Sequence, residues 1–425
     1  MNIETYKEII DYLRDVILGT EFENHVFSVG GCERDKNLGR NIKDIDLVVD
    51  LPNGGINFAK WLEANNLTYG SVVVYENFGT VMFKLKQFNQ FELEAVHTRK
   101  ECYRDENSRN PETVFGTIYE DCMRRDFTIN ALYHNISEDK DLDFTGKGMD
   151  DLKNKIIRTC DDPNIIFKED PLTILRCVRF KSQFDFTIEK DTLVGMALNA
   201  PKLDIISKER IQDEFNKIFN TDKPWNAFFV MDSICILKYI APQLDNECFE
   251  RKGFIHYMIK AKALDVYIED RTIQALTLMM FCVGKTPINN LMKSLKYSNN
   301  IINTVNKYTK GIYLCLIAIN FNKTKYYSEF EYFCKDNDSY FDILELSKLF
   351  VSKDSIKPNI NSMVGYKLPI DGNDVMNILN VKPSPFVKSV LQSSLEFAFK
   401  HPKTTRKMFL LNLYLMKFKR LLKNF

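Results

Sequence analysis

The chain has 425 residues, with 58 basic and 57 acidic side chains and a formal net charge of +1. That length exceeds one ordinary core, so two or more domains are expected, and the balanced charge excludes a global field; any contact with nucleic acid must use local patches. Hydrophobic content of 45% fits a soluble globular protein, and the longest apolar runs, such as Leu278 to Val283, are far too short to span a bilayer.

Residues 1–24 read as an amphipathic helix, with Ile3, Tyr6, Ile9, Ile10 and Leu13 at helical spacing and acids throughout, which is not a signal peptide. An apolar run from Val26 to Val29 then breaks at Gly30-Gly31, passes Arg34-Asp35 and Leu38-Gly39, and resumes as a strand from Ile45 to Val49. Asp44 and Asp46 are two apart, so on a strand they point the same way. Paired carboxylates repel unless a cation sits between them, and a hard cation, Mg2+ before zinc, suits oxygen ligands. The glycines let backbone N–H groups approach an anion, and Arg34 adds a fixed positive fork. Together these parts suit a nucleoside triphosphate and a metal.

A helix is expected over Phe58–Asn65, and strands over 70–75, 78–86 and 91–98, forming one small mixed sheet with the carboxylates on its open face. On the last strand Glu92 and Glu94 share a face, and either could join Asp44 and Asp46. Residues 101–117 are polar and turn-rich and read as a mobile loop. Arg124, Arg125 and Asp126 follow, before what reads as the start of an apolar helix; such a cluster can hold ribose and phosphate oxygens. Residues 141–160 read as a structural connector, with a boundary near 150.

Glu169 and Asp170 read as first-turn acids of a helix with Pro171 in its first turn. Asp170 and Thr173 share a face, and Arg176 and Arg179 step round it, so an acceptor, a donor and two cations line one flank. That flank suits a base edge and a phosphate tail, or equally a salt-bridged surface helix. Ser207 can cap the next helix, on which Arg210, Glu214 and Lys217 fall at helical spacing. Beyond about residue 220 the chain reads as apolar helices. Its last 26 residues hold eight Lys or Arg and no acid, with Phe409, Tyr414 and Phe418 interleaved, the best local candidate for phosphate contact. Ten cysteines without a C-x-x-C argue against a zinc site and for reduced thiols in a cytoplasmic protein.

Five motifs in order resemble those of the family that contains class II CCA-adding tRNA nucleotidyltransferases and bacterial poly(A) polymerases. They are GG-x-x-RD-x-x-LG with D-x-D over 30–46, Glu94 ahead of Arg99, RRDFT-x-NA over 124–131, Glu169-Asp170 through Arg179, and S-x-ERI-x-x-E-x-x-K over 207–217. The resemblance implies Asp44, Asp46 and Glu94 as the catalytic carboxylates, Asp44 and Asp46 as Mg2+ ligands, and Glu94 rather than Glu92 as the third. It implies nucleotide binding by Gly30, Gly31, Arg34, Asp35, Arg125, Asp126, Asp170, Thr173, Arg176 and Arg179. Arg125 would contact the incoming nucleotide, Asp126 its sugar, and the helix from Asp170 would select the base. Thr173 departs from the pattern, because the family has arginine there. A planar fork of five donors is replaced by one hydroxyl, which bears on the choice among nucleotides. The motif over 207–217 would brace the nucleotide helix, and weak likenesses at Gly372–Asp374 and Lys382–Lys388 would mark a tail that supports tRNA.

The expected fold is therefore α+β. A nucleotidyltransferase head with a small mixed sheet (1–150) precedes a helical neck (151–220) and a helical body and tail that binds RNA (221–425). The expected activity is two-metal transfer of C and A from CTP and ATP to a tRNA 3′ end. Poly(A) addition is the second reading, and an RNA-binding module with a decayed nucleotide site a third.

Overall fold

The computed structural model describes residues 1–76, 79–102, 112–245, 248–321, 333, 337–351, 368–400 and 405–422. Asn2 caps helix α1 (Ile3–Ile17) by accepting the Thr5 N–H, and Tyr6, Ile9, Ile10, Leu13 and Ile17 form its buried stripe. The helix ends short of the expected residue 24, because Gly19 at φ +74° turns the chain out of it.

The strands that follow are β1 (Val26–Val29), β2 (Ile45–Val49), β3 (Val73–Tyr75), β4 (Thr80–Phe83), β5 (Leu93–His97), β6 (Arg99–Cys102), β7 (Glu112–Phe115), β8 (Leu132–Asn135) and β9 (Lys140–Asp143). Seven of them form one mixed sheet in the order β3-β4-β5-β2-β1-β8-β9, in which β2 and β5 run parallel and the other neighbours antiparallel. The register aligns Tyr133, Val29, Asp46, Glu94 and Met82 in one row across five strands. Residues paired across strands share a face, so this row sets which side of the sheet carries the acids.

The other face is covered by α1 and α3 (Gly54–Ala64), whose apolar residues join Ile45, Leu47, Val49, Leu93 and Ala95 in the larger core. Helix α3 begins four residues earlier than expected. It lies almost on the backbone of β5: a Cβ at Gly55 would meet the Val96 Cα and N at 2.7 Å.

One element was not foreseen, and two local expectations are corrected. A short helix, α2 (Gly31–Asn37), follows Gly30 directly. After Asp126 the chain forms a 3₁₀ turn, Thr128–Asn130, and then strand β8 rather than a helix. The segment expected to be a loop over 101–117 is partly a β-ribbon, since β6 pairs antiparallel with β7; residues 103–111 lie outside the described residues.

Helices α4 (Ile118–Met123), α5 (Gly148–Asn154), α6 (Pro163–Glu169), α7 (Leu172–Phe184), α8 (Lys190–Asn199), α9 (Lys208–Phe219) and α10 (Trp225–Ser233) complete a first compact unit, Met1–Ile240. The expected divisions at 150 and 220 both fall inside it. Within it α7 packs against α9 and α10, and α6 against α8. The second unit, Ala241–Phe425, is helical among its described residues, from Cys248–Leu264 and Arg271–Val283 to Pro385–Lys400 and Arg406–Leu422. In it Asp371 caps the helix Gly372–Leu379, and Arg406 at the start of the last helix pairs with Asp374 at 2.9 Å. Residues 401–404 and 423–425 of the basic terminus lie outside the described residues. No helix among those described is long and apolar enough to cross a membrane.

The contact of α3 with β5 yields a direct test of the core. Gly55→Ala must push the helix off the strand, and a chemical denaturation curve is expected to show a loss of about 1–3 kcal/mol, the usual cost of overpacking.

Candidate active site

The row on the open face of the sheet brings the predicted carboxylates together. Asp46 lies beside Glu94 on the parallel pair β2–β5, and Asp44 precedes β2 by one residue with its side chain exposed, as Asp46's is. Among the described residues none of the three carboxylates is held in an ion pair. Although the Asp46 side chain still reaches solvent, the protein atoms crowded round it and the like charge of Glu94 and Asp44 outweigh the opposing pull of Arg125 and Arg34, and its carboxyl is pushed up to about 6. Burial and Asp44 likewise raise Glu94, while Arg99 opposes the rise. Three like-charged carboxylates gathered at one sheet face fit a hard divalent cation. Asp35, by contrast, is bonded to Arg34.

Asp46 lines a cleft of about 520 Å³ with Gly30, Gly31, Arg34, Arg99, Arg124, Arg125, Asp126, Asn130, Ile166, Glu169, Asp170, Thr173, Arg176 and Phe180. Gly30 adopts φ +83°, where side chains are strained, and a Cβ there would lie 3.7 Å from both the Asp46 Oδ2 and the Arg125 Nη1.

The cations of the cleft are held in place by buried acids. Asp121, on α4 and wholly buried, accepts from Arg124 Nη2 at 2.5 Å, Arg125 Nη2 at 2.9 Å and the Tyr133 hydroxyl at 2.7 Å. Burial alone would push its carboxyl up, but the two guanidinium groups and the phenol hold it well below the usual range. Sequence reading assigned Asp121 no role, although an acid three and four residues ahead of two arginines on a helix is a visible signal. Asp126 accepts from Arg176 Nη2 at 2.5 Å and from Asn130 at 3.0 Å. Asn130 in turn accepts from Arg34 Nη1 at 2.6 Å. Arg34 also forks onto Asp35 at 3.0 and 2.9 Å and lies over the ring of Phe184, 4.7 Å from its centroid. The Asp126–Arg176 pair ties the head to α7.

On α7 the expectations divide. Glu169 is the last residue of α6 and lines the cleft, and Asp170 links the two helices, so neither is a first-turn acid of α7. Thr173 is buried and lines the cleft with Asp170 and Arg176. Arg179 is turned to Glu214 of α9, at 2.8 Å. Arg210 of α9 pairs with Asp170 at 3.0 Å, and Ser207 caps α9 as expected. Two ion pairs thus brace α7 against α9.

A second group of potential ligands, Glu33, His134 and Asp141, lies apart from this row, with ligand atoms within 4.8 Å of one another. The Lys36 ammonium, 2.5 Å from Glu33 and 2.9 Å from Asp141, already supplies the cation there.

Against known families, the poly A polymerase head domain matches residues 26–158, the probable RNA and SrmB-binding site of polymerase A matches 185–248, and the putative domain 2 of tRNA nucleotidyltransferases matches 269–402. The tRNA nucleotidyltransferase cca1 of Schizosaccharomyces pombe is 27% identical, over 95% of this chain and 94% of its own. The CCA-adding enzyme of Enterococcus faecalis is 30% identical, over 72% of this chain and 70% of its own. The chain belongs to the family of CCA-adding tRNA nucleotidyltransferases. The solved Bacillus stearothermophilus CCA-adding enzyme in complex with CTP shares the fold, at a TM-score of 0.70 and 19% identity, over 94% of this chain and 95% of that one. The motifs of CCA-adding enzymes thus lie within one cleft-bearing unit, with Arg179 and Asp35 beside it in ion pairs.

Because the Asp46 carboxyl is raised from 3.8 to about 6, the folded chain takes up a proton there as the pH falls through 6. A divalent cation must displace that proton, so its affinity is expected to weaken as the pH drops through that window; without metal, the same group's contribution to stability declines as the pH rises through it. Calorimetric titration with Mg2+ at pH 5.5 and 7.5 checks this, and Asp46→Asn should remove the dependence.

Proposed function

We propose that the cleft transfers C and A residues from CTP and ATP to the 3′ end of tRNA, without a nucleic-acid template and with Mg2+ as the cofactor. The observation that carries this reading is the unpaired carboxylate row, Asp46 beside Glu94 with Asp44 at its edge, at a cleft lined by guanidinium groups. Family membership supports the substrates, since the chain aligns with the tRNA nucleotidyltransferase cca1 over nearly its whole length.

Asp44, Asp46 and Glu94 would hold the metal. The chemistry it supplies when bound is acidification of the RNA 3′-hydroxyl and neutralisation of charge on the departing pyrophosphate. The hydroxyl attacks the α-phosphorus, the bond to pyrophosphate breaks, and the RNA grows by one nucleotide. Arg125 and Arg176, fixed by Asp121 and Asp126, stand ready for phosphate oxygens without reorganising, which is where electrostatic stabilisation is most effective. Arg34 keeps its position over Phe184 and adds fixed positive charge. Asn130, bonded to both Arg34 and Asp126, couples these two sites. Gly30 and Gly31 leave room for a phosphate beside Asp46. Asp170 and Thr173 line the part of the cleft that would read the base. Buried free thiols at Cys32, Cys122, Cys160, Cys177 and Cys315 favour a reducing compartment, and we place the reaction in the cytoplasm.

Incubation of the protein with tRNAs ending before CCA, after C or after CC, each nucleotide offered singly and mixed, followed by sequencing of the products, tests the reading. Extension that stops at CCA, or at a defined part of it, is expected. A ladder of adenines would favour the poly(A) activity of the related enzymes, and no Mg2+-dependent product would leave an RNA-binding module. Asp46→Ala is expected to slow addition by about a thousandfold, equivalent to several kcal/mol of lost charge stabilisation.

A further inference from the structure

The guanidinium groups lining the cleft are largely committed. Arg124 and Arg125 are bound to Asp121, Arg176 to Asp126, and Arg34 to Asp35 and Asn130. Arg179 faces Glu214. Thr173, buried on the cleft wall, offers a single hydroxyl.

Arg210 differs from all of these. It sits in the first turn of α9 with its side chain 52% exposed, and it gives one Nη2–H to Asp170 Oδ2 at 3.0 Å. Of the five donors of a guanidinium, that uses one. Asp170 lines the cleft beside Thr173, so Arg210 stands at the rim next to an acceptor on the cleft wall. One turn further along α9, the buried Glu214 grips Arg179 of α7 and fixes the register that brings Arg210 to Asp170. Asp170 also keeps acceptor capacity, because its Oδ1 takes only the Leu172 N–H at 3.1 Å.

We propose that Arg210, beside Asp170, is a base-selecting residue of the nucleotide site and supplies the donors that Thr173 lacks. The inference rests on the reading of the cleft as a nucleotidyl-transfer site. Cytosine and adenine each present an exocyclic amino donor next to a ring-nitrogen acceptor, whereas uracil and guanine present a carbonyl next to a ring N–H. A carboxylate beside a guanidinium complements the first pattern and opposes acceptor to acceptor and donor to donor in the second.

The test measures kcat/KM for CTP and for UTP on a tRNA lacking CCA, with Mg2+, in the wild type, Arg210→Ala and Arg210→Lys. Lysine retains a cation for Asp170, so an ion pair that only braces α7 would survive it; the planar fork would not. The CTP to UTP ratio is expected to fall about tenfold in both variants, mainly through the KM for CTP. Adding Thr173→Arg to Arg210→Ala should restore most of that ratio, while Lys190→Ala, exposed at the start of α8, should leave it unchanged. A ratio within about twofold of wild type in Arg210→Lys overturns the role of Arg210 alone. A wild-type protein that adds no nucleotide overturns the reading of the cleft, and this inference with it.

Discussion

Like charges crowded onto one sheet face are the constraint from which the rest of this molecule follows. Asp44, Asp46 and Glu94 repel one another, and a fold that gathers them needs either a cation or neighbouring arginines to relieve the repulsion. Arg125 and Arg34 stand near enough to soften the repulsion, but their hydrogen bonds go to other acids. Asp121, buried beneath the cleft, takes Arg124 and Arg125 for itself, and Asp126 takes Arg176. The acids on the row are thereby left out of ion pairs among the described residues, which is what the proposed metal site requires. Had Arg125 paired with Asp46 instead, the site would be a closed salt bridge with nothing to bind.

The same economy shapes the scaffold. The parallel register of β2 and β5 makes Asp46 and Glu94 neighbours, and the apolar side chains two residues away on each strand belong to the smaller core on that face, with Val48 buried and Val96 packed against it. The opposite face spends its residues on α1 and α3. On the helical side, Arg179 with Glu214 and Asp170 with Arg210 hold α7 against α9, and Asp126 with Arg176 holds α7 to the sheet. Helix α7 is thus pinned along its length and at the Asp170 link before it, and it presents Thr173 to the cleft beside Asp170.

What could be read from the residues was whatever depended on local spacing. Asp44 and Asp46 are two apart on a short apolar run, and the alternation of a strand puts them together wherever the strand goes. Choosing Glu94 over Glu92 on residues alone was not possible, because it depends on the register between strands far apart in sequence; the family motif supplied the choice, and Asp46 opposite Glu94 agrees with it. Strand β8 was missed because all four of its residues are buried, which leaves no alternation to detect. That Arg179 and Asp35 turn away from the cleft was equally hidden: spacing shows that a charge lies on a flank, and only the packed partner, Glu214 or Arg34, shows where it is spent.

Diffraction from crystals grown with Mn2+ in place of Mg2+ and a non-reactive CTP analogue, collected at the manganese absorption edge, tests the central claim most directly. Anomalous density against the carboxylates of Asp44 and Asp46, with the triphosphate beside Gly30 and Arg125, is the predicted result. Density at Glu33, His134 and Asp141 with none at Asp46 would contradict the account.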